Sequence, residues 1–249
     1  MTTITDPRYD LNLFYSGEKS IPEYLNVQNI SADIYSATAL CIVAFAMDFP
    51  QGTSVKARKE LEKKWLNLLP TLDNIKSLSI RLRVNQDFFD AVCKMKNLER
   101  LHFWTSTADD ISAISKLKNL TRLDLERFSG LTDISPLLEL PKLKLLSIEN
   151  SHKIANYDII GNIHQLIGLK LCGDSFAPKN LRLPSLKPYR ELKNLEHLDL
   201  NICSVIDGSY EEIINLTSLK RFDTTTSRIP KHAKELISAH KTLIAGFWH

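Results

Sequence analysis

One phrase recurs along the chain at a nearly fixed interval: an aliphatic residue, two variable positions, an apolar residue, one variable position, an apolar residue. It reads Ile75-x-x-Leu78-x-Ile80, Leu98-x-x-Leu101-x-Phe103, Leu120-x-x-Leu123-x-Leu125, Leu143-x-x-Leu146-x-Ile148, Leu166-x-x-Leu169-x-Leu171 and Leu195-x-x-Leu198-x-Leu200. Leu219-x-x-Phe222-x-Thr224 is a decayed copy. Measured at the middle apolar residue, successive copies stand 23, 22, 23, 23, 29 and 24 residues apart. A period in this range marks a stacked repeat architecture, in which no single repeat buries its apolar face alone.

The last two apolar residues of each phrase are two positions apart, so on a strand they share one side. That side is the interior, because six copies of paired large apolar residues, with a seventh decayed copy, do not all face water. The chain must then turn back and start the next strand one layer along, at about 4.8 Å per layer. Parallel neighbours need long crossovers, and the remaining fifteen or so residues of each repeat supply them. Two crossovers, Asp110–Leu120 and Asp133–Leu143, share the form Asp-Ile-Ser-x-(Ile/Leu)-x-x-Leu. Asp or Ser caps a helical turn there and Pro136 suits its first turn, which predicts one or two turns of 3-10 or short α-helix on the convex side. Three residues past each phrase comes a turn position, usually small and polar so that it bonds the turn backbone. Here it holds Arg83, Ser106, Phe128, Ser151, Asp174, Cys203 and Ser227.

At these residues the chain resembles the short, 22-residue class of leucine-rich repeats found in internalin-like bacterial proteins. Leu131-Thr-Asp-Ile-Ser-Pro-Leu137 lies close to that form, and the resemblance covers about Ile75 to Thr225. The expected fold is an α/β leucine-rich-repeat solenoid, a curved parallel sheet with short helices or 3-10 turns outside it. It carries an N-terminal cap over residues 1–70 and an array with a C-terminal cap strand over residues 71–249. The 29-residue step and Thr224 in an apolar slot depart from the pattern.

A stacked array exposes its core at both ends, so both ends need caps. Thr53 or Ser54 through Leu69 reads as an amphipathic helix ended by Pro70. Ala57, Leu61, Trp65, Leu68 and Leu69 fall on its inner face, with Trp65 as anchor, and Lys56, Lys59, Lys63 and Lys64 largely opposite as a solvated face. Upstream, Leu40-x-x-Val43-x-Phe45 fits the phrase as a degenerate first layer with Asp48 at the turn position. A buried helix over Ala37–Met47 is the alternative, and Tyr24–Ile30 suggests a further strand. At the other end, a helix over Lys231–His240 after Pro230 leads to Leu243-x-x-Gly246-x-Trp248 as a last strand.

Side chains between the core positions point onto the concave face in three columns. The first is Ser77, Arg100, Arg122, Leu145, Gly168, His197 and Arg221; the second Ser79, His102, Asp124, Ser147, Lys170, Asp199 and Asp223; the third Arg81, Trp104, Glu126, Glu149, Cys172, Asn201 and Thr225. Basic and aromatic residues gather early and acids late. The candidate partner-binding residues are Arg81, Arg100, His102, Trp104, Arg122, Asp124, Glu126, Glu149, Lys170, His197, Asp199 and Asp223, since an exposed Trp beside arginines is hot-spot composition. Trp104 packed under the N-terminal cap, and Arg122 and Asp124 as mere cross-strand ion pairs, are the structural alternatives. The stretch from Ser175 to Arg190 is a second candidate surface, stiffened by three prolines and made positive by Lys179, Arg182, Lys187 and Arg190.

Chemistry is sparse. There is no phosphate-binding Gly-rich loop, no Gly-x-Ser-x-Gly, no His-Glu-x-x-His and no paired cysteine set. Cys172, expected exposed beside Lys170, has no histidine in a neighbouring layer. The pattern therefore predicts no catalytic residue, metal or cofactor. A net charge of +3 is too mild to imply nucleic acid, the mixed concave face lacks a continuous basic stripe, and the longest apolar run is far short of a membrane span. Four widely spaced cysteines read as free thiols in a reducing compartment, with the cytoplasm as default. The start, with no basic segment followed by an apolar one, predicts no secretory signal. The expected function is non-catalytic binding of another protein, monomeric when free. An inhibitor or immunity protein that neutralises a toxin is one form of it, an adaptor or scaffold another. An RNA-binding regulator using the basic stretch is the rival, and an enzyme with its site in residues 1–70 a further one.

Overall fold

The computed structural model of the chain describes residues 23–26, 30, 32–43, 53–174, 179–224 and 229–247. They divide into two compact units with the break between Lys142 and Leu143. Each is a stack of parallel strands, and the fold is the leucine-rich-repeat solenoid.

In the unit before the break the strands are β1 (Glu23–Asn26), β2 (Ala39–Val43), β3 (Ser77–Val84), β4 (Arg100–Ser106) and β5 (Arg122–Glu126), paired in that order and all parallel. Helix α1 (Val55–Leu68) crosses from β2 to β3 and α2 (Gln86–Val92) from β3 to β4. 3-10 turns at Ser112–Lys116 and Ser135–Glu139 follow. Leu78, Ile80, Leu101, Phe103, Leu123 and Leu125 are buried, as are the leading residues Ile75, Leu98 and Leu120. Burial alternates along β5 because successive side chains point to opposite faces. Asp110 and Asp133 accept from the backbone N–H of Ser112 and Ser135, which sets the Asp-Ile-Ser turns as the sequence indicates.

One repeated device joins the layers. Asn97 and Asn119, each just before the leading leucine, donate to the carbonyls of Asp73 and Lys96 in the preceding crossover. Asn194 does the same to His164 in the other unit. Each bond satisfies a crossover carbonyl, on the exposed residues Asp73, Lys96 and His164.

The first layer exists, but its expected register is three residues out. Leu40, not Val43, stands opposite Leu78, and Ile42 opposite Ile80. Both Leu40/Ile42 and Val43/Phe45 satisfy the two-apart rule, so pairing decides between them. The strand also replaces the alternative helix over the described part of Ala37–Met47; Phe45 and Asp48 lie outside the described residues. A bulge between Ile80 and Arg83 moves the turn position of that repeat to Val84, which faces Ser106 and is buried, while Arg83 is exposed. Phe128 fills its turn position with a ring instead of a backbone hydrogen bonder. It meets Phe103 at 5.9 Å and Phe89 of α2 at 6.2 Å, both edge-on. Helix α1 is seated less evenly than its pattern implied. Trp65 is buried and Leu61 and Leu68 are half-buried, but Ala57 is exposed, because the first two turns run past the packing partners.

In the unit after the break, β6 (Leu145–Glu149), β7 (Gly168–Cys172), β9 (His197–Leu200), β11 (Arg221–Thr224) and β12 (Ala245–Phe247) pair in that order. The 29-residue step makes room for β8 (Leu181–Leu183), which pairs in parallel with β10 (Cys203–Val205) as a separate small sheet. 3-10 turns Tyr157–Asn162, Lys187–Glu191 and Tyr210–Asn215 form the crossovers, and α3 (Lys231–Ser238) leads into β12. Gly246 sits opposite Phe222, the register its phrase indicates; Ser227 and Trp248 lie outside the described residues. Gly173 is required by a close approach, since a Cβ there would sit 2.1 Å from the Lys179 carbonyl oxygen and 2.6 Å from that of Ile202.

Candidate functional site

In the first unit the strand pattern delivers its concave side chains into a connected set. Ser79, His102 and Asp124 stand in register on β3, β4 and β5. The Ser79 hydroxyl lies 2.9 Å from His102 Nδ1, and His102 Nε2 lies 3.6 Å from Glu126 Oε2. With the ring proton on Nε2, toward the carboxylate, Nδ1 accepts from Ser79. Glu126 also meets Arg127 Nη1 at 3.6 Å, and the Arg127 guanidinium lies 5.5 Å from the centre of the Trp104 ring. A continuous relay thus runs Ser79–His102–Glu126–Arg127–Trp104. Beside it Arg122 Nε donates to Asp124 Oδ2 at 2.8 Å. His102, Trp104, Arg122, Asp124, Glu126 and Arg127 are all half-buried, and Arg81 and Arg100 are exposed at the edge of the set.

Arg127 escaped the sequence reading. It follows β5, outside the three columns, and returns over Trp104 only because its backbone is left-handed, with φ of 54°. A non-glycine residue in that region is uncommon and costs free energy, so the surrounding contacts must hold it there. Nothing in the residue type announces it. Trp104 is accordingly fixed by a cation–π contact, an interaction worth about 0.5–2 kcal/mol depending on desolvation. The Arg122–Asp124 alternative is also realised, as a pair within β5 rather than across strands.

The second unit behaves differently, and here three expectations are corrected. His197 and Asp223 are not exposed contacts: they are 3% and 4% accessible. His197 Nε2 lies 3.1 Å from Asp223 Oδ2, and Arg221 grips the same carboxylate with two nitrogens. Burial would raise the Asp223 carboxyl, but hydrogen bonds from His197 and Arg221 outweigh it and hold it below the usual range. Cys172 is buried as well, and burial with the nearby Asp199 pushes its thiol well up despite Lys170. The third correction concerns the run of acids. Glu149 is paired with Lys170 at 3.1 Å, Asp223 with Arg221 and His197, and Asp199 accepts from the backbone and side chain of Asn201. Burial raises the Asp199 carboxyl against these bonds. For Glu149 and Asp223 the physical reason is that opposite charges stacked at the strand spacing neutralise one another, leaving little of a solvent-facing acidic field. Thr225 lies outside the described residues.

The 175–190 stretch is described from Lys179 onward. There Lys187 pairs with Asp207 at 3.5 Å and Arg190 with Glu191 at 3.4 Å, so part of its positive charge is spent internally. Among the described residues no group of three or more His, Cys, Asp or Glu could hold a metal ion, and no helix is long and apolar enough to cross a membrane.

Known proteins share the architecture. No family model matches the chain. Two internalins of Listeria monocytogenes have similar structures. Internalin inlF gives a TM-score of 0.52 at 18% identity, over 73% of this chain and 56% of that one. Internalin C2 gives 0.50 at 18%, over 71% and 72%. Likeness at this identity concerns the fold alone. A protein of Trypanosoma equiperdum, named "Putative adenylate cyclase regulatory protein", is 27% identical over 153 residues, which is 53% of this chain. The chain spans only 24% of that relative's length.

Proposed function

We propose that the chain is a protein-binding module that engages a partner polypeptide through the concave surface of β3–β5. The observation that carries this reading is the relay from Ser79 to Trp104. It fixes an aromatic ring, an arginine and three polar groups side by side without help from a ligand, and 28%, 20% and 23% of the His102, Glu126 and Arg127 side chains stays accessible. Pre-organised Trp and Arg side chains lose little freedom on binding, which is why such residues dominate interface energetics. A partner meeting this face would present an apolar group to Trp104 and acids to Arg81 and Arg100. The leucine-rich-repeat fold supports the reading at the level of class, since it serves protein interaction more readily than catalysis. The module would act by occupying its partner, as an inhibitor (a toxin-neutralising immunity protein among them) or as an adaptor. A regulatory role, such as the trypanosome relative's name carries, fits either. The internal pairing of Lys187 and Arg190 weighs against the RNA-binding rival.

The test is affinity capture from the native cell with wild-type protein, followed by titration of the captured protein. Trp104→Ala should weaken binding by about 2 kcal/mol, roughly thirtyfold. Arg122→Glu, which sets an acid beside Asp124, should weaken it comparably, while Lys94→Ala, exposed on a crossover, should not. Unchanged affinity in both Trp104→Ala and Arg122→Glu, with melting temperature preserved, would remove the concave face from the account.

A further inference from the structure

Helix α1 departs from what a stabilising cap helix should be. Its first two turns are exposed on every side: Val55, Lys56, Ala57, Arg58, Lys59 and Glu60 all face solvent, Val55 at 71%. Lys63 and Lys64 are exposed too, and Trp65 is the only buried residue of the helix. Lys56, Lys59 and Lys63 are spaced three and four apart, so they form one stripe about 10 Å long. Lys56 lies nine residues before Trp65, half a helical turn out of phase, so the stripe points directly away from the anchor.

Two further facts make this more than a solvated face. The helix holds five basic and two acidic residues, against 32 and 29 in the whole chain. The remainder therefore carries twenty-seven of each, and the entire net charge of +3 resides on α1. Glu62, moreover, is turned inward to accept from Asn85, the residue that caps α2. The placement is also locally unfavourable. Ser54 caps the N-terminus by accepting from Ala57, yet the first turn has no acid and two cations, at the positive end of the helix dipole. Like charges three and four apart on a helix repel. Lys56, Lys59, Lys63 and Lys64 make no ion pair among the described residues. Sequence features that work against local stability are expected where function requires them.

We propose that this stripe is a second docking surface, on the crossover side of the sheet and separate from the concave face, for an acidic segment of a partner protein. Charge complementarity selects an anion, and pattern selects among anions. Glu60 lies beside the three lysines, so the surface reads as a register of plus and minus rather than a uniform positive field. A polypeptide with acids at helical spacing and a basic residue opposite Glu60 matches it. A phosphate backbone does not, and α1 exposes no aromatic ring on which bases could stack. A lipid surface would also want an apolar face to insert, and Val55 is the one large exposed apolar side chain on α1. Together with the concave face this gives the chain two independent partner surfaces, which is the arrangement of an adaptor.

The experiment uses the full chain at low ionic strength and a fluorescein-labelled helical peptide. The peptide carries Glu at three- and four-residue spacing and one Lys placed to meet Glu60. A scrambled peptide of the same composition, an oligo-uridylate RNA and phosphatidylserine-containing vesicles serve as competitors in kind. Wild type should bind the patterned peptide at least fivefold more tightly than the scrambled one. Lys56→Glu/Lys59→Glu/Lys63→Glu should weaken it about tenfold or more, and 0.3 M salt should do likewise. The same triple variant should melt at the same temperature or higher, because acids suit the first turn better than cations. Lys56→Gln/Lys59→Gln/Lys63→Gln should give an intermediate affinity with the fold intact. Equal binding of patterned and scrambled peptides, tighter binding of RNA or vesicles, retained affinity in the variants, or a fall in their melting temperature would each overturn the proposal.

Discussion

Phe128 occupies a position where the repeat ordinarily places a small polar residue, and replacing it with one should harm the fold. Its side chain is wholly inaccessible and sits edge-on to Phe103 at 5.9 Å and to Phe89 at 6.2 Å. Truncating a buried Phe costs about 3–5 kcal/mol once the residual cavity is included. Two edge-to-face pairs, at about 0.5–1.5 kcal/mol each, place this site at the upper end. Phe128→Ser regains something. Ser106, at the equivalent position one layer before, donates to the Val84 carbonyl and accepts from the Ala108 N–H. A serine making the same bonds would recover about 1 kcal/mol. The net expectation is a loss of about 3–4 kcal/mol, read as a shift in the urea midpoint at unchanged slope. Ser106→Ala, which removes the two hydrogen bonds, should cost about 1–2 kcal/mol. The order matters as much as the size. If Phe128→Ser costs under about 1 kcal/mol, or less than Ser106→Ala, then the aromatic cluster does not tie α2 to β4 and β5, and repeat identity outweighs packing.

Asp207 supplies a pH test. Burial would raise its carboxyl, but the Ser209 hydroxyl and N–H, the nearby Ser185 and Lys187 bring it down to about 2 from 3.8. A folded value below the unfolded one contributes stability that is present above 3.8 and lost as pH falls toward 2. Melting temperature should therefore drop more steeply through that window in wild type than in Asp207→Asn, and parallel curves would contradict the assignment. The thiols give a second check. Burial raises Cys93, Cys172 and Cys203, the last to about 12, so a disulfide reagent at pH 8 should leave them unmodified in the native state and label them in urea. Rapid native labelling of Cys172 would restore the exposed placement that its column suggested.

These cases show why the fold was more legible than the face. The apolar phrase is a local pattern with a forced consequence: two inward residues per layer at a constant period leave one way to bury them, and Leu101, Leu123, Leu146 and Leu169 all obey. Where the pattern was doubly satisfied, as at Leu40/Ile42 and Val43/Phe45, only the long-range pairing with β3 could choose. The columns follow from alternation and are equally local, so Ser79, His102 and Asp124 do meet in register. Exposure is not local. His197 and His102 are the same residue type and each faces a carboxylate, yet His197 is buried at 3% accessibility and His102 is only half-buried. No residue type discloses which of two polar neighbours a carboxylate will choose. Arg127 is the extreme case. Its role depends on a left-handed backbone that its own side chain disfavours, a conformation shared by Asn150 and Ile202, each like Arg127 two residues past the last apolar residue of its phrase. That the turn imposes this geometry on Arg, Asn and Ile alike means the turn is dictated by the stack and not by the residue in it. The interaction surface is then a by-product of the repeat: the stack fixes the turn, the turn aims Arg127, and Arg127 holds Trp104. A replacement such as Arg127→Ala should therefore disturb recognition through the Trp104 ring while leaving the layers beneath it in place.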